Sequence, residues 1–509
     1  MNLKFKISCF YFLMNKFHFS FWFLIFVLIN LACAPSRFGI KHSFTKKAIA
    51  ELTQQIESVL SDSALYQSRA GIKIVSLKTG QVLFERDSEL LFHPASNMKL
   101  LTTATALTKL GSNFKFKTTF YADTSAITDS TISGNLYIKG SGDPSLTTKD
   151  LWEIVQKLKE LGIQQITGDL VCDETYLDDY YYGAGWMWDD ASSSDFAPIG
   201  ALSVNRNCVT VKVSPGAAIG DTLVVTLVPQ TSYVTIENFG VTTDSTDTTL
   251  LKDFKIERKW REDENTIIVE GGVTAMSPQK MRVIEIIEPA LYFGTLFSEL
   301  LSAEEIEFTG DIIKGETPDT NLVLVEHLSQ RLSFLATTTN KNSDNLYAEL
   351  LLKTLGAEIL GPPGTAKKGL STIKRFFHQI GVDTTSFGLA DGSGVSRYNM
   401  ISPVQIIELL KQMHQDFNVQ AEFKASLPIA GIDGTLRNRM KNTPAEGKLR
   451  GKTGTLRGTS ALAGYTTTAD GEALAFSMIM EHFVGPTSGI RRIQDQIGVI
   501  ISAFRRDSK

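Results

Sequence analysis

The sequence predicts an α+β protein in which one domain of antiparallel sheet and helices is interrupted by nested, β-rich insertions. Three observations predict it. First, three short polar elements, Ser96-Asn-Met-Lys99, Ser343-Asp-Asn345 and Lys452-Thr-Gly454, fall in two widely separated stretches of the chain. Second, from about 114 to 317 the texture turns strand-rich, with turns of Asp, Thr and Gly. Third, Ala473-Leu-Ala-Phe-Ser-Met-Ile-Met480 reads as a fully buried strand, and Ser488–Phe504 has the helical periodicity needed to close a sheet. With 509 residues, 43% hydrophobic and 21% charged, the chain has material for more than one core.

The elements follow in order. Lys4, Lys6 and Lys16 flank the apolar run Phe19–Leu31, too short for a comfortable membrane span and suited to a signal core, so 1–33 reads as a signal segment. Met14 would serve as an alternative start. Leu31-Ala-Cys33 resembles a lipoprotein cleavage site, although Asn30 stands where Leu is usual. Lipidation of Cys33, with membrane attachment, and simple secretion are both open readings. Either one exports the protein, to the periplasm. Residues 44–64 read as an amphipathic helix through Ala48, Leu52, Ile56 and Leu60, and 71–86 as a hairpin with Lys78-Thr-Gly80 at its turn.

His93-Pro94-Ala95-Ser96 opens an apolar, Ala/Thr-rich run that reads as a buried helix to about Gly111. Pro94 lies just before it, where a missing N–H does no harm. Ser96 therefore sits at a helix N-terminus beside free N–H groups and a positive dipole end. Lys99, three residues on, shares its face. A lysine held against a hydroxyl in an apolar pocket loses its proton readily and acts as a base. The strand-rich stretch divides into an inserted domain II (114–218 and 273–317) and a small β domain III (219–272) nested in it. Domain III is marked by Leu223–Val228, Tyr233–Ile236 and Thr266–Val269. Glu288–Leu301 returns to helix, and the first domain, 44–113, resumes over 318–509. Ser343-Asp-Asn345 precedes an amphipathic helix closed by Gly356. Lys452-Thr-Gly454 is expected on a strand beside the buried strand 473–480, with Gly454 permitting close approach of an extended peptide.

No single motif decides the function. Ser-x-x-Lys recurs at Ser43–Lys46, Ser112–Lys115, Ser277–Lys280 and Ser371–Lys374. Alone, each element reads as a helix cap or a hairpin turn. Together, in this order, Ser-x-x-Lys, Ser-Asp-Asn and Lys-Thr-Gly are the signature of active-site-serine enzymes that process penicillin-like acyl compounds. Further stretches extend the likeness: Gly140–Ser145, Gly185–Asp190, Asp391–Arg397, Leu427–Leu436 and Gly451–Thr455. On these residues the chain resembles class C low-molecular-mass penicillin-binding proteins, the D-alanyl-D-alanine carboxypeptidase/endopeptidases.

The resemblance implies a serine β-lactamase/transpeptidase-like domain carrying inserted domains. It implies a carboxypeptidase/endopeptidase that acts on peptidoglycan stem peptides through a Ser96 acyl-enzyme and is inhibited by β-lactams. Lys99 would be the base, Ser343 the proton relay with Lys452, and Asn345 the orienting amide. Thr453, Gly454 and Thr455 would serve the oxyanion and the substrate carboxylate. Trp186, Asp189, Val395, Arg397 and Leu456 would line a pocket for the stem-peptide side chain, with Asp190 the alternative to Asp189. A β-lactamase would need an efficient deacylation base, and no class A-type Glu loop fits this spacing. A non-catalytic wall-binding protein would have lost one of the three elements, and none is lost.

Composition agrees. A net charge of −4 makes no case for nucleic acid. Cys9, Cys33, Cys172 and Cys208 show no metal-ligand spacing and seven histidines are scattered, so no metal or other cofactor is expected. Export permits a Cys172–Cys208 disulfide, with two buried free thiols the other reading.

Overall fold

The computed structural model describes residues 37–190, 193–319 and 322–506. The expected signal segment 1–33, with Cys33, lies outside the described residues.

A five-stranded antiparallel sheet runs in the order Val82–Arg86, Arg69–Ser76, Ala473–Glu481, Thr459–Thr467, Arg450–Leu456. Its middle strands read as unbroken apolar runs because both faces are covered. In Ala473–Glu481, the side chains of Leu474, Phe476, Met478 and Met480 point to one core and those of Ala475 and Ile479 to the other, as a period of two dictates. The first core is closed by two helices, Arg37–Leu60 and Thr487–Ala503, through Leu52, Ile56, Ile493 and Ile497. The second is filled by Met98–Leu110, Asn345–Leu360 and Pro403–Gln415. Hairpin 69–86 turns through Lys78-Thr-Gly80, with Gly80 at φ +73°.

A third core lies under a separate mixed sheet, ordered Ile312–Lys314, Leu170–Asp173, Leu136–Gly140, Lys117–Ala122, Leu322–Leu328. Helices Thr148–Glu160 and Pro289–Ala303 pack against it. The first carries a capping box, Thr147 with Asp150.

Several expectations are corrected. Leu322–Leu328 pairs with Lys117–Ala122, so the strand assigned to the resumed 318–509 segment belongs to the inserted sheet. The run Val224–Val228 pairs with Cys208–Ser214, whose other neighbour is Lys280–Glu285. Hydrogen bonding therefore ties 219–272 to strands on both sides of it, and these bounds do not isolate a sheet. Thr148–Glu160 is a helix inside the strand-rich stretch. The Ser-Asp-Asn helix does not stop at Gly356. It continues to Leu360 and ends at Gly361, φ +86°, while Gly356 lets the following helix approach, with Lys368 Cβ 2.8 Å from where its Cβ would be. The Lys-Thr-Gly strand is an edge strand whose neighbour is Thr459–Thr467, not 473–481. Cys172 and Cys208 are both free and buried, and burial pushes the Cys172 thiol up to about 12.

Candidate active site

Three elements converge on one cavity of about 510 Å³, lined by Ser96, Ser343, Asn345, Thr453, Thr455 and Leu456 among others. Ser96 lies in a tight turn, Ala95–Asn97, that runs straight into helix Met98–Leu110. Ala95 before it stands at φ +47°, a conformation that costs a non-glycine residue about 1–3 kcal/mol and persists only where the surroundings impose it. The edge strand imposes part of it: a Cβ on Gly454 would lie 2.8 Å from Pro94 O and 3.1 Å from Ser96 N. Gly394 does the rest, since its missing Cβ would sit 1.8 Å from Ala95 O, and its φ is +87°.

Lys99, fully buried, is the second residue of the helix and lies one turn after Ser96. Its Nζ donates to Ser96 Oγ at 3.1 Å, Asn345 Oδ1 at 2.6 Å and Ser393 O at 2.7 Å. Burial pushes its pKa down to about 8. The carboxylates of Asp391, Glu349, Asp344 and Asp195 pull the other way without restoring the ordinary value. Across the cavity Lys452, also buried, donates to Ser343 Oγ and Thr453 O, both at 2.8 Å. Burial lowers its proton affinity strongly, and the like charge of Lys99 adds to that. Ser343, at φ +61°, precedes Asp344, which caps the next helix by accepting from Tyr347 N at 3.1 Å.

The insertion touches the same groups. Asn345 Nδ2 donates to Asp195 O at 2.8 Å, and Arg206 pairs with the buried Asp344 at 2.5 Å. Arg491 donates to Thr455 Oγ1 at 3.2 Å, and Thr453 Oγ1 bonds Thr435 Oγ1 at 2.8 Å.

The side-chain-pocket residues are divided. Val395 and Leu456 line the Ser96 cavity. Trp186 lines a neighbouring cavity of about 610 Å³ that shares Phe196 with it. Its indole Nε1 donates to Asp391 Oδ2 at 3.1 Å, and the ring meets Phe196 edge-on. Asp189 is exposed and lines neither cavity, which corrects its expected place. Asp190, partly buried, lines neither cavity either; burial raises its pKa, while its hydrogen bond from Met187 N at 3.3 Å and the charge of Arg397 oppose the rise. Arg397 itself donates to Arg457 O at 2.8 Å. Glu349, Asp391, Ser393, Asp195 and Arg206 were not singled out from the sequence. Asp391 and Ser393 lie in a stretch that carried the resemblance, but Asp195 and Ser393 act through backbone oxygens, which no side-chain pattern reveals.

A family model described as D-Ala-D-Ala carboxypeptidase 3 (S13) family matches residues 52–503. The chain is 34% identical over 471 residues to a D-alanyl-D-alanine carboxypeptidase of Actinomadura sp. (strain R39), covering 90% of this chain and 85% of that one. It is 26% identical to the D-alanyl-D-alanine carboxypeptidase DacB of Haemophilus influenzae, covering 88% and 92%. The fold is similar to the crystal structure of penicillin binding protein 4 (dacB) from Haemophilus influenzae. The TM-score is 0.76 at 24% identity, over 88% of this chain and 98% of that one. That protein has also been solved complexed with a β-lactam (TM-score 0.70, 23% identity, 88% and 98%).

Proposed function

Because the chain belongs to the D-Ala-D-Ala carboxypeptidase 3 (S13) family, we propose that it is a serine-type D-Ala-D-Ala carboxypeptidase/endopeptidase of peptidoglycan stem peptides, acylated by penicillins. One observation carries the reading: a buried lysine of lowered proton affinity lies 3.1 Å from the Ser96 hydroxyl, with a second buried lysine across the cavity on Ser343.

Ser96 Oγ attacks the carbonyl of the penultimate D-Ala while Lys99 Nζ takes its proton. The tetrahedral oxyanion sits between the N–H groups of Ser96 and Thr455, an arrangement in which each donor is typically worth ~3 kcal/mol. Collapse breaks the peptide bond, and the proton passes through Ser343, assisted by Lys452, to the leaving D-Ala nitrogen. Lys452, with Thr453 and Thr455, holds the terminal carboxylate, which favours chain ends. Asn345 fixes Lys99 and the substrate amide. Water then hydrolyses the ester. A β-lactam enters the same chemistry and leaves a slowly hydrolysed acyl group.

The enzyme acts outside the cytoplasm, delivered by the signal segment 1–33, with Cys33 as the candidate lipid anchor. The basic and apolar pattern of that segment supports the reading. Mass spectrometry of the mature N-terminus would read both cleavage and acylation. The catalytic reading is tested by labelling with a fluorescent penicillin and mapping the adduct. The label is expected on Ser96 and lost in Ser96→Ala; labelling that survives the substitution would overturn the assignment.

A further inference from the structure

We infer that Glu349 is a positioning residue for the Ser96–Lys99 pair, acting through the 391–396 loop whose Ser393 carbonyl holds the Lys99 side chain. The inference rests on the serine acyl-transfer reading above.

The geometry is a loop strung between two helices. Glu349 lies four residues after Asn345 on the helix Asn345–Leu360, so both face the same way. Asn345 reaches Lys99 directly. Glu349, fully buried, reaches it at one remove. Its Oε1 accepts from Gly392 N at 3.0 Å and Ser393 N at 2.8 Å, and its Oε2 from Gly392 N at 3.1 Å. The carbonyls of the same two residues are taken by the nucleophile helix: Thr102 Oγ1 donates to Gly392 O at 2.7 Å, and Lys99 Nζ to Ser393 O at 2.7 Å. Ser393 thus links a carboxylate on one helix to the amine on the other through a single residue's backbone. The next residue, Gly394, presses on Ala95 O, the turn that aims Ser96. A loop that slackens releases the base and the nucleophile together.

Charge is the second part of the device. Lys99 is faced by Asp391, Glu349, Asp344 and Asp195, with Lys452 as the opposing cation. Asp391 is engaged by Gly394 N at 2.8 Å, Ser396 N at 2.7 Å and Asn399 Nδ2 at 2.7 Å. Glu349 is pushed up to about 7, first by burial and then by Asp391. Its negative form therefore appears over the pH range in which Lys99 gives up its proton, and it opposes that loss. A glutamine's Oε1 in its place would still accept from both amides without opposing it, at the loss of the second acceptor at Gly392 N.

The test measures the second-order rate of Ser96 acylation by a fluorescent penicillin against pH, with melting curves to verify folding. Glu349→Gln keeps an acceptor at Oε1 and removes the charge. Its acid limb is expected to move to lower pH by about one unit, the size of shift a neighbouring charge produces. Glu349→Asp keeps the charge and shortens the arm. It is expected to acylate roughly ten- to a hundredfold more slowly, with the limb unmoved, as misplacement of a reacting pair by about 1 Å requires. A Glu349→Gln profile that superimposes on the wild type, or a Glu349→Asp rate equal to it, would overturn the inference while leaving the Ser96 mechanism standing. If Glu349→Gln does not fold, the Glu349→Asp rate decides. A wild type that forms no Ser96 adduct would overturn the acyl-transfer reading itself, and this inference with it.

Discussion

Lys99 and Lys452 are both buried amines of lowered proton affinity, yet the mechanism proposed above gives them opposite tasks. Lys99 must be neutral to take the Ser96 proton. With its pKa near 8, about a tenth of it is neutral at pH 7 and half at pH 8, so acylation by a donor without a carboxylate is expected to rise about fivefold between those values and about twofold more before it levels off. A donor with a carboxylate needs Lys452 charged as well. Its profile should add a falling limb as Lys452, with lowered affinity, loses its proton. Stopped-flow acylation by a neutral ester and by a penicillin across pH 5–10 checks both shapes; identical profiles would refute the division. The same division predicts the mutants. Lys99→Ala abolishes acylation by either donor. Lys452→Ala costs the carboxylate donor about 1.5–3 kcal/mol, the worth of a charge-assisted hydrogen bond, and the ester far less.

At the scale of elements, the nucleophile is aimed by an edge strand and a loop pressing on one strained turn. Only a residue without Cβ fits at Gly394, where backbone lies 1.8 Å from the missing atom and φ is +87°. Gly394→Ala is expected to destabilise the protein by about 2 kcal/mol or more and to displace Ser96. Penicillin labelling should fall in parallel with the melting temperature. Gly454→Ala meets looser contacts, 2.8–3.1 Å, so it should fold and lose acylation rate selectively. An alanine at 454 that labels at the wild-type rate would show that the strand does not set the position of Ser96.

At the scale of the molecule, the insertion is part of the site. Arg206, from the insertion, pairs with Asp344, the buried cap of the Ser-Asp-Asn helix, and Asp195 O holds Asn345. Burial raises the Asp344 pKa and Arg206 opposes the rise. In Arg206→Met the pKa climbs further. A carboxyl whose folded pKa is raised contributes stability below its unfolded pKa and loses it as pH rises through the folded one. The variant should therefore fall below wild type by about 1–3 kcal/mol at neutral pH, a breakage penalty discounted because Arg206 is half exposed. The gap should narrow towards pH 4. Thermal denaturation across pH measures it, and a gap constant with pH would refute the role of the pair. Asp190, the more buried acid of the 186–190 stretch, carries the substrate-choice prediction. Asp190→Asn should lose roughly tenfold in kcat/KM on a diaminopimelate-containing pentapeptide and little on benzylpenicillin, whereas Asp189→Asn changes neither.

The identities and order of Ser96, Lys99, Ser343, Asn345 and Lys452 are local facts, and so are the apolar runs that predict the helix after Ser96 and the buried strand 473–480. Sequence alone determined these, because run length, apolar content and motif composition depend on near neighbours only. Other features required the folded chain. Gly356 carries the composition of a helix end but serves helix–helix contact, and only packing against Lys368 distinguishes the two. Strand Leu322–Leu328 looks like a fresh start of the first domain, yet its hydrogen bonds go to Lys117–Ala122. The Glu349 carboxylate behind the Lys99 loop, the carbonyls of Ser393 and Asp195, and the Arg206–Asp344 pair join residues distant in the chain. Backbone oxygens carry no side-chain signature, and a buried charge acquires its meaning only from what surrounds it. Tertiary structure decided those.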